Sequence, residues 1–260
     1  MSDRAKDWDP AAYHRFQGHR LRPALDLLRA LPETPQGDVI DLGCGADDVG
    51  PALRATGLEG ALIGVDLSEA MLAKAQDLDL YDHLLQADVR GWSPARPPAL
   101  IFSNAALHWV DDHRALFAHL VDQLARGGTL AVQMPHQNNA PSHHMWRTLA
   151  EEFFPGRLAK TKLPGILKPA EYHHLLAPLG QVSLWETEYY QQLPASDLGN
   201  PVRLFTESTF ARPILQMLNS DEQRHLIRAY EEVIPSAYPV AKDGSVLFPF
   251  RRLFFTVTRD

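Results

Sequence analysis

Acidic and glycine residues recur in this chain at positions where they can hold a ligand. Asp41-Leu42-Gly43-Cys44-Gly45 follows the apolar pair Val39-Ile40. A buried strand that gives way to alternate glycines lets a ligand touch bare backbone. A second apolar run, Ala61 to Val65, ends in Asp66, 25 residues after Asp41. An acid at the tip of the next strand suits the hydroxyls of a ribose. Leu84–Asp88 and Ala99–Asn104 also end in polar residues. Four strand ends with polar tips carry more weight than any one of them.

These positions need a scaffold that brings strand ends together. The first 130 or so residues alternate helix and strand signals. Pro23 to Leu31 places Ala24, Leu27, Leu28 and Leu31 on one helical face. Strands are expected over 38–42, 61–65, 84–88, 99–104 and 129–134. Helices are expected over Gly50–Ala55, Glu69–Gln76 (capped by Ser68) and 111–125, which opens on Asp111-Asp112 and closes at Gly127-Gly128. Alternation of this kind predicts an open α/β sheet, with ligands beyond the carboxyl ends of its strands. After Pro135 the pattern changes. Residues 141–153 read as helix, 155–170 as loop and 182–193 as strand. Two helical stretches near 201–218 and 220–234 precede a terminal strand at 253–258. A helical pair between the last two strands suggests a small cap over the ligand site. The expected division is a ligand-binding core over 1–135, with the rest of the sheet over 136–260 and a helical cap inserted at about 195–245.

Bulk composition excludes several classes. The 260 residues are 45% hydrophobic and 22% charged, ordinary for a soluble protein. No stretch approaches the roughly 20 apolar residues of a membrane span, and the polar N-terminus lacks a signal-peptide core. A net charge of −7 without a long basic run argues against nucleic acid. The single cysteine fits a reducing, cytoplasmic compartment, and Cys44 reads as a packing residue. Of the 12 histidines, His143-His144 and His173-His174 are adjacent pairs, and no H-x-x-x-H or C-x-x-C occurs, so no metal site is expected.

The ligand follows from the departures. A dinucleotide loop reads G-x-G-x-x-G, but Asp48 stands at the last glycine's place. Asp41 ahead of the glycines would repel a pyrophosphate. It suits S-adenosylmethionine, which carries an ammonium and a sulfonium but no phosphate.

At this point the chain resembles the class I S-adenosylmethionine-dependent methyltransferases and, within them, the trans-aconitate methyltransferase family. The resemblance runs through Trp8-Asp9-Pro10-Ala11-Ala12-Tyr13 with Arg22-Pro23-Ala24, Asp41–Gly45, Ile63–Asp66 with Met71, Ala87–Trp92 and Asn104-Ala105-Ala106-Leu107-His108-Trp109. It continues at Leu130–Pro135, Tyr189–Gln192, Arg212-Pro213 and Arg252–Arg259. It implies a Rossmann-like, seven-stranded α/β sheet with helices on both faces and a small helical cap. Asp41, Gly43 and Gly45 would meet the methionine part of the cofactor and Asp66 its ribose. Leu67 and Met71 would flank the adenine, which Asp88 and the Val89 amide would read. Asn104 and Ala105 would line the sulfonium. Leu107, His108 and Trp109 would face the acceptor.

In-line methyl transfer to a carboxylate requires no general base, because the acceptor is already ionised with a pKa near ~4. Arg212, Arg251, Arg252 and His136 are the cations that would clamp a small polycarboxylic acid, with Trp8, Tyr13 and Tyr190 as closing aromatics. Arg251 and Arg252 read equally well as surface charges. The chain departs from the family at Asp47, where a third glycine is usual, and at His136, where an acid is usual. It departs also at Phe210-Ala211 and at Phe250-Arg251-Arg252. A carboxylate at 47 would repel the cofactor's own by ~1–2 kcal/mol. Three readings stay open: a small-acid O-methyltransferase, a methyltransferase of another acceptor such as a natural-product intermediate, and a non-catalytic protein with the same fold.

Overall fold

A computed structural model describes residues 17–46, 49–161 and 163–260, and the side chains of 17–20 are not among them. Trp8, Tyr13, Asp47 and Asp48 therefore lie outside the described residues.

The elements in chain order are α1 (Gln17–Arg29), β1 (Val39–Leu42), α2 (Gly50–Arg54), β2 (Leu62–Asp66), α3 (Glu69–Asp77), β3 (His83–Gln86), β4 (Leu100–Asn104), α4 (His113–Gln123), β5 (Thr129–Pro135), α5 (Pro141–Phe153), α6 (Pro169–Leu176), β6 (Gln181–Leu193), α7 (Pro201–Glu207), α8 (Arg212–Gln216), α9 (Ser220–Val233) and β7 (Val246–Thr258). The strands form one sheet in the order β3-β2-β1-β4-β5-β7-β6. Strands β1 to β5 pair in parallel. β7 runs against β5, since Arg259 N–H donates to Gly128 at one end and His136 N–H to Arg251 at the other. The sheet is thus the seven-stranded α/β arrangement that the sequence predicts.

Two compact units divide the chain. One comprises residues 1–134, 167–187 and 253–260; the other comprises 135–166 and 188–252. In the first, β1 and β4 are buried along their whole length. Buried on both faces, such strands read as unbroken apolar runs. β3 ends the order and leaves three of its four residues exposed. In the second unit, Trp146 of α5 stacks on Tyr230 of α9, with centroids 4.0 Å apart. The Trp146 indole donates to Thr206 of α7 at 2.9 Å. Asn219 caps α9 through the amides of Asp221 and Glu222. Among the described residues no helix is long and apolar enough to cross a membrane.

Several boundaries differ from expectation. Pro23 lies inside α1 rather than at its start. A proline's fixed φ marks helical backbone without telling the first turn from a later one. α6 occupies a stretch with no helical assignment in the sequence reading. Glu171 accepts from the Lys168 N–H at 2.9 Å to close its first turn, with Pro169 at its first position. β7 begins at Val246, seven residues before the apolar run, because Pro249 obscures its first half. β3 stops at Gln86, so Asp88 sits beyond the strand rather than at its tip.

Candidate active site

The loop after β1 is built from the backbone outward. Gly43 N–H donates to the Val65 carbonyl at 2.7 Å, and Cys44 N–H to the same oxygen at 3.1 Å. Gly43 has φ +77°, and a Cβ there would lie 2.2 Å from the Ala106 Cβ. Close approach and left-handed backbone both demand glycine. Gly45 differs. Its φ is +57°, yet a Cβ would meet no atom of the described residues within 4 Å.

Asp66 ties the loop to the next strand. One carboxylate oxygen accepts from Gly45 N–H at 2.9 Å and the other from Ser68 N–H at 2.8 Å. The carboxylate thus ties the loop after β1 to the start of the turn into α3. Ser68 in turn caps α3, accepting from Met71 N–H at 3.2 Å. Met71 is buried, whereas Leu67 is 64% exposed beside it.

Asp41 is only 4% exposed, and the Tyr81 hydroxyl donates to its Oδ2 at 2.7 Å. Sequence reasoning passed over Tyr81. Its signal was Gly64, where a Cβ would lie 3.1 Å from the Tyr81 ring. The missing side chain lets the ring lie close over β2.

Asp88 is held by Arg90, whose Nε donates to its two oxygens at 2.9 and 3.0 Å, and whose backbone N–H adds a bond at 3.0 Å. The Asp88 carboxylate beside it raises the Arg90 pKa, first through the hydrogen bond and then through charge. Any ligand donor to Asp88 shares the carboxylate with this guanidinium. Val89 is half-buried between the pair.

Asn104 ends β4 and is 8% exposed. Both polar atoms of its carboxamide are buried without a hydrogen-bond partner among the described residues. Ala105 follows at φ +55°, unusual for a residue with a Cβ. Its N–H donates to the Gln133 carbonyl at 2.9 Å, which holds it there. A strained residue beside an unsatisfied buried amide is a mark of a binding site. A 3-10 turn, Leu107–Trp109, comes next. Leu107 is buried, while His108 and Trp109 are half-buried with rings 5.2 Å apart.

The second unit holds the cationic candidates. Arg252 is 2% exposed, its guanidinium 4.7 Å from the centroid of Phe250. Arg251, its neighbour on β7, points outward and pairs with Glu188 at 3.5 Å. Tyr190 is 66% exposed, and a hydrogen bond to Glu188 raises its pKa. His136 and Arg212 are half-buried. The structure thus separates Arg251 from Arg252, which the sequence weighed equally.

The strand order and the glycine loop joined to an acid on the next strand define the class: a methyltransferase-type α/β fold. The model of the methyltransferase domain family matches residues 13–176. Trans-aconitate 2-methyltransferase of Acidovorax ebreus (strain TPSY) is 38% identical over 257 residues, covering 97% of this chain and 98% of that one. The enzyme of the same name from Escherichia coli O9:H4 (strain HS) is 36% identical over 255 residues, with 97% and 98% covered. Haemonchus contortus phosphoethanolamine N-methyltransferase 2, solved with phosphomonomethylethanolamine and S-adenosylhomocysteine, superposes with a TM-score of 0.57 at 15% identity, over 96% of this chain and 57% of that one. The chain belongs to the trans-aconitate 2-methyltransferase family.

Proposed function

We propose that this protein transfers the methyl group of S-adenosylmethionine to a carboxylate of a small polycarboxylic acid, with trans-aconitate as the first candidate. The full-length relatives that carry this activity in their name support the acceptor. The observation that carries the site is the buried, unsatisfied carboxamide of Asn104 beside the left-handed Ala105. Such an amide costs about 1–3 kcal/mol unless a ligand satisfies it.

The residues present fit the cofactor. Asp41 suits its ammonium, and the backbone of Gly43 and Gly45 would meet its methionine part. Asp66, an acid at the end of β2, suits ribose hydroxyls. Leu67 and Met71 offer apolar surface to the adenine, with Asp88 and Val89 at its polar edge. Asn104 and Ala105 would line the sulfonium, with Leu107 beside them toward the acceptor. When bound, the cofactor supplies an electrophilic methyl group.

The protein then has to orient an acceptor that is already ionised at neutral pH. His108 and Trp109 would face it; Tyr13 and Trp8, the other aromatic candidates, lie outside the described residues. Arg252 is the first-ranked clamp because it is buried beside Phe250. A desolvated guanidinium grips a carboxylate more firmly than an exposed one. Arg212, His136, Arg251 and Tyr190 supply further contacts. Neither a nucleic acid nor a membrane enters this reading, and the site of action is the cytoplasm.

Calorimetry with S-adenosylhomocysteine comes first, and no binding overturns the enzyme reading in favour of a non-catalytic protein. Methyl transfer from labelled cofactor to trans-aconitate and related acids comes second. Binding without transfer to any polycarboxylate points to a different acceptor. The departures at His136 and at Phe210-Ala211 make that the second reading.

A further inference from the structure

The turn that carries His108 and Trp109 is anchored by a histidine outside the assigned site. His113 opens α4 and is buried. Its Nε2 lies 3.0 Å from the Leu107 carbonyl oxygen and its Nδ1 lies 2.6 Å from the Tyr172 hydroxyl. A carbonyl only accepts, so Nε2 carries the proton. In the neutral ring Nδ1 is then the acceptor, and the Tyr172 O–H donates to it. Leu167 N–H donates to the same hydroxyl at 3.3 Å. The series from Leu167 through Tyr172 and His113 to Leu107 has one consistent arrangement of protons.

The neutral form is the one the surroundings favour. Burial lowers the His113 pKa, against the pull of the Leu107 and Val110 carbonyls and the charges of Asp111 and Asp112. Burial likewise keeps Tyr172 protonated by raising its pKa. The ring of Tyr172 packs on His113 at 5.7 Å, on Phe117 at 6.0 Å and on Phe255 at 5.8 Å. Phenylalanine meets the needs of that packing. The hydroxyl adds its bonds to His113 and to the Leu167 N–H, and His113 adds its bond to the turn.

We infer that His113 and Tyr172 are positioning residues for methyl transfer, fixing the Leu107 carbonyl and thereby aiming His108 and Trp109 at the acceptor. The inference rests on the reading that those two side chains face the acceptor. Leu107 is the natural handle, because Val110 N–H also donates to its carbonyl, at 3.0 Å, and closes the 3-10 turn there.

Full-length Tyr172→Phe, His113→Ala and His113→Gln are compared with the parent. Tyr172→Phe and His113→Ala should each lower kcat/KM for the acid by about tenfold, with S-adenosylhomocysteine affinity unchanged within about twofold. His113→Gln keeps an N–H donor near Nε2 and should recover most of the loss, which a purely space-filling role would not predict. Folded Tyr172→Phe and His113→Ala proteins with parental kinetics overturn the inference. A parent protein that methylates no acid overturns the function reading instead. Imidazole nitrogen NMR then decides the positioning role. An Nε2–H tautomer, with faster amide exchange at Leu107–Trp109 in His113→Ala, supports it. An Nδ1–H tautomer or unchanged exchange overturns it.

Discussion

The Tyr81 hydroxyl donates to Asp41 Oδ2 at 2.7 Å, so the acid near the carboxyl end of β1 is oriented by a side chain from the loop before β3. Gly64, across the parallel pair from Asp41, leaves room for the Tyr81 ring. The bond fixes the orientation of the Asp41 carboxylate.

Tyr81→Phe removes the donor and keeps the ring. S-adenosylhomocysteine affinity should fall about tenfold, with stability changed by less than about 1.5 kcal/mol. Asp41→Asn should weaken binding further, by about a hundredfold, because the charge facing the ammonium is lost. Calorimetry on both variants checks this, and parental affinity in Asp41→Asn would remove Asp41 from the site.

Asp66 bridges two backbone donors, Gly45 and Ser68. Asp66→Ala should therefore cost about 1–3 kcal/mol of stability and also the ribose contact. The expected result is a lower urea midpoint together with cofactor affinity reduced by about a hundredfold or more. Loss of affinity with no change in the midpoint would show that the two amides do not depend on this carboxylate.

The sheet and the glycine turn after β1 were legible in the sequence because their signals are local. Val39 to Gly45 carries its strand and turn in seven neighbouring residues. Tyr81, His113 and Tyr172 were not legible. They act through hydrogen bonds to partners 40, 6 and 59 positions away, and only the fold brings such partners together. Arg251 and Arg252 differ by one position, and only the pleat of β7 decides which is buried. Pro249 hid the start of that strand for the same reason: its tolerance depends on which neighbour needs a donor.

Ala105 has φ +55° while its N–H holds the Gln133 carbonyl. Left-handed backbone costs a residue with a Cβ roughly 1–2 kcal/mol. Ala105→Gly relieves that and should raise stability by up to about 1 kcal/mol. Turnover should fall, because a freer backbone aims Asn104 less well. Ala105→Val should destabilise, by about 2 kcal/mol. Urea unfolding ranks the three proteins, and a glycine variant less stable than the parent would contradict the strain argument.

Arg252 and Arg251 offer an internal control. Arg252→Met should raise the KM for the acid by about ten- to a hundredfold, as expected for a lost charge-assisted pair. Arg251→Met loses only an exposed pair with Glu188 and should stay within about threefold of the parent. S-adenosylhomocysteine affinity should hold in both. Equal effects at the two positions would mean that burial is not what selects the clamp.

Acid sensitivity should come first from buried histidines. His143 packs its ring 4.1 Å from Phe210, with Ser142 Oγ 3.1 Å from its Nδ1. Burial, reinforced by the Arg147 charge, lowers its pKa to about 3. The unfolded chain takes up a proton near the ordinary histidine value while the folded one does not, so stability is full above about pH 6.5 and falls as the pH drops from there toward about 3. For His143 alone the loss between about pH 7 and pH 5 is about 2 kcal/mol. His113, also lowered by burial, acts in the same direction. Asp82, Glu222 and Asp243 have lowered pKa values too. They withdraw their stabilisation only below about pH 4.5, where unfolded carboxylates begin to protonate. Urea unfolding at the two pH values should therefore show a parental loss of at least about 2 kcal/mol, and His143→Leu should remove most of the His143 share. The comparison reads a slope, so a lower absolute stability of the variant does not affect it. A variant with the full parental slope would assign the acid sensitivity to other groups.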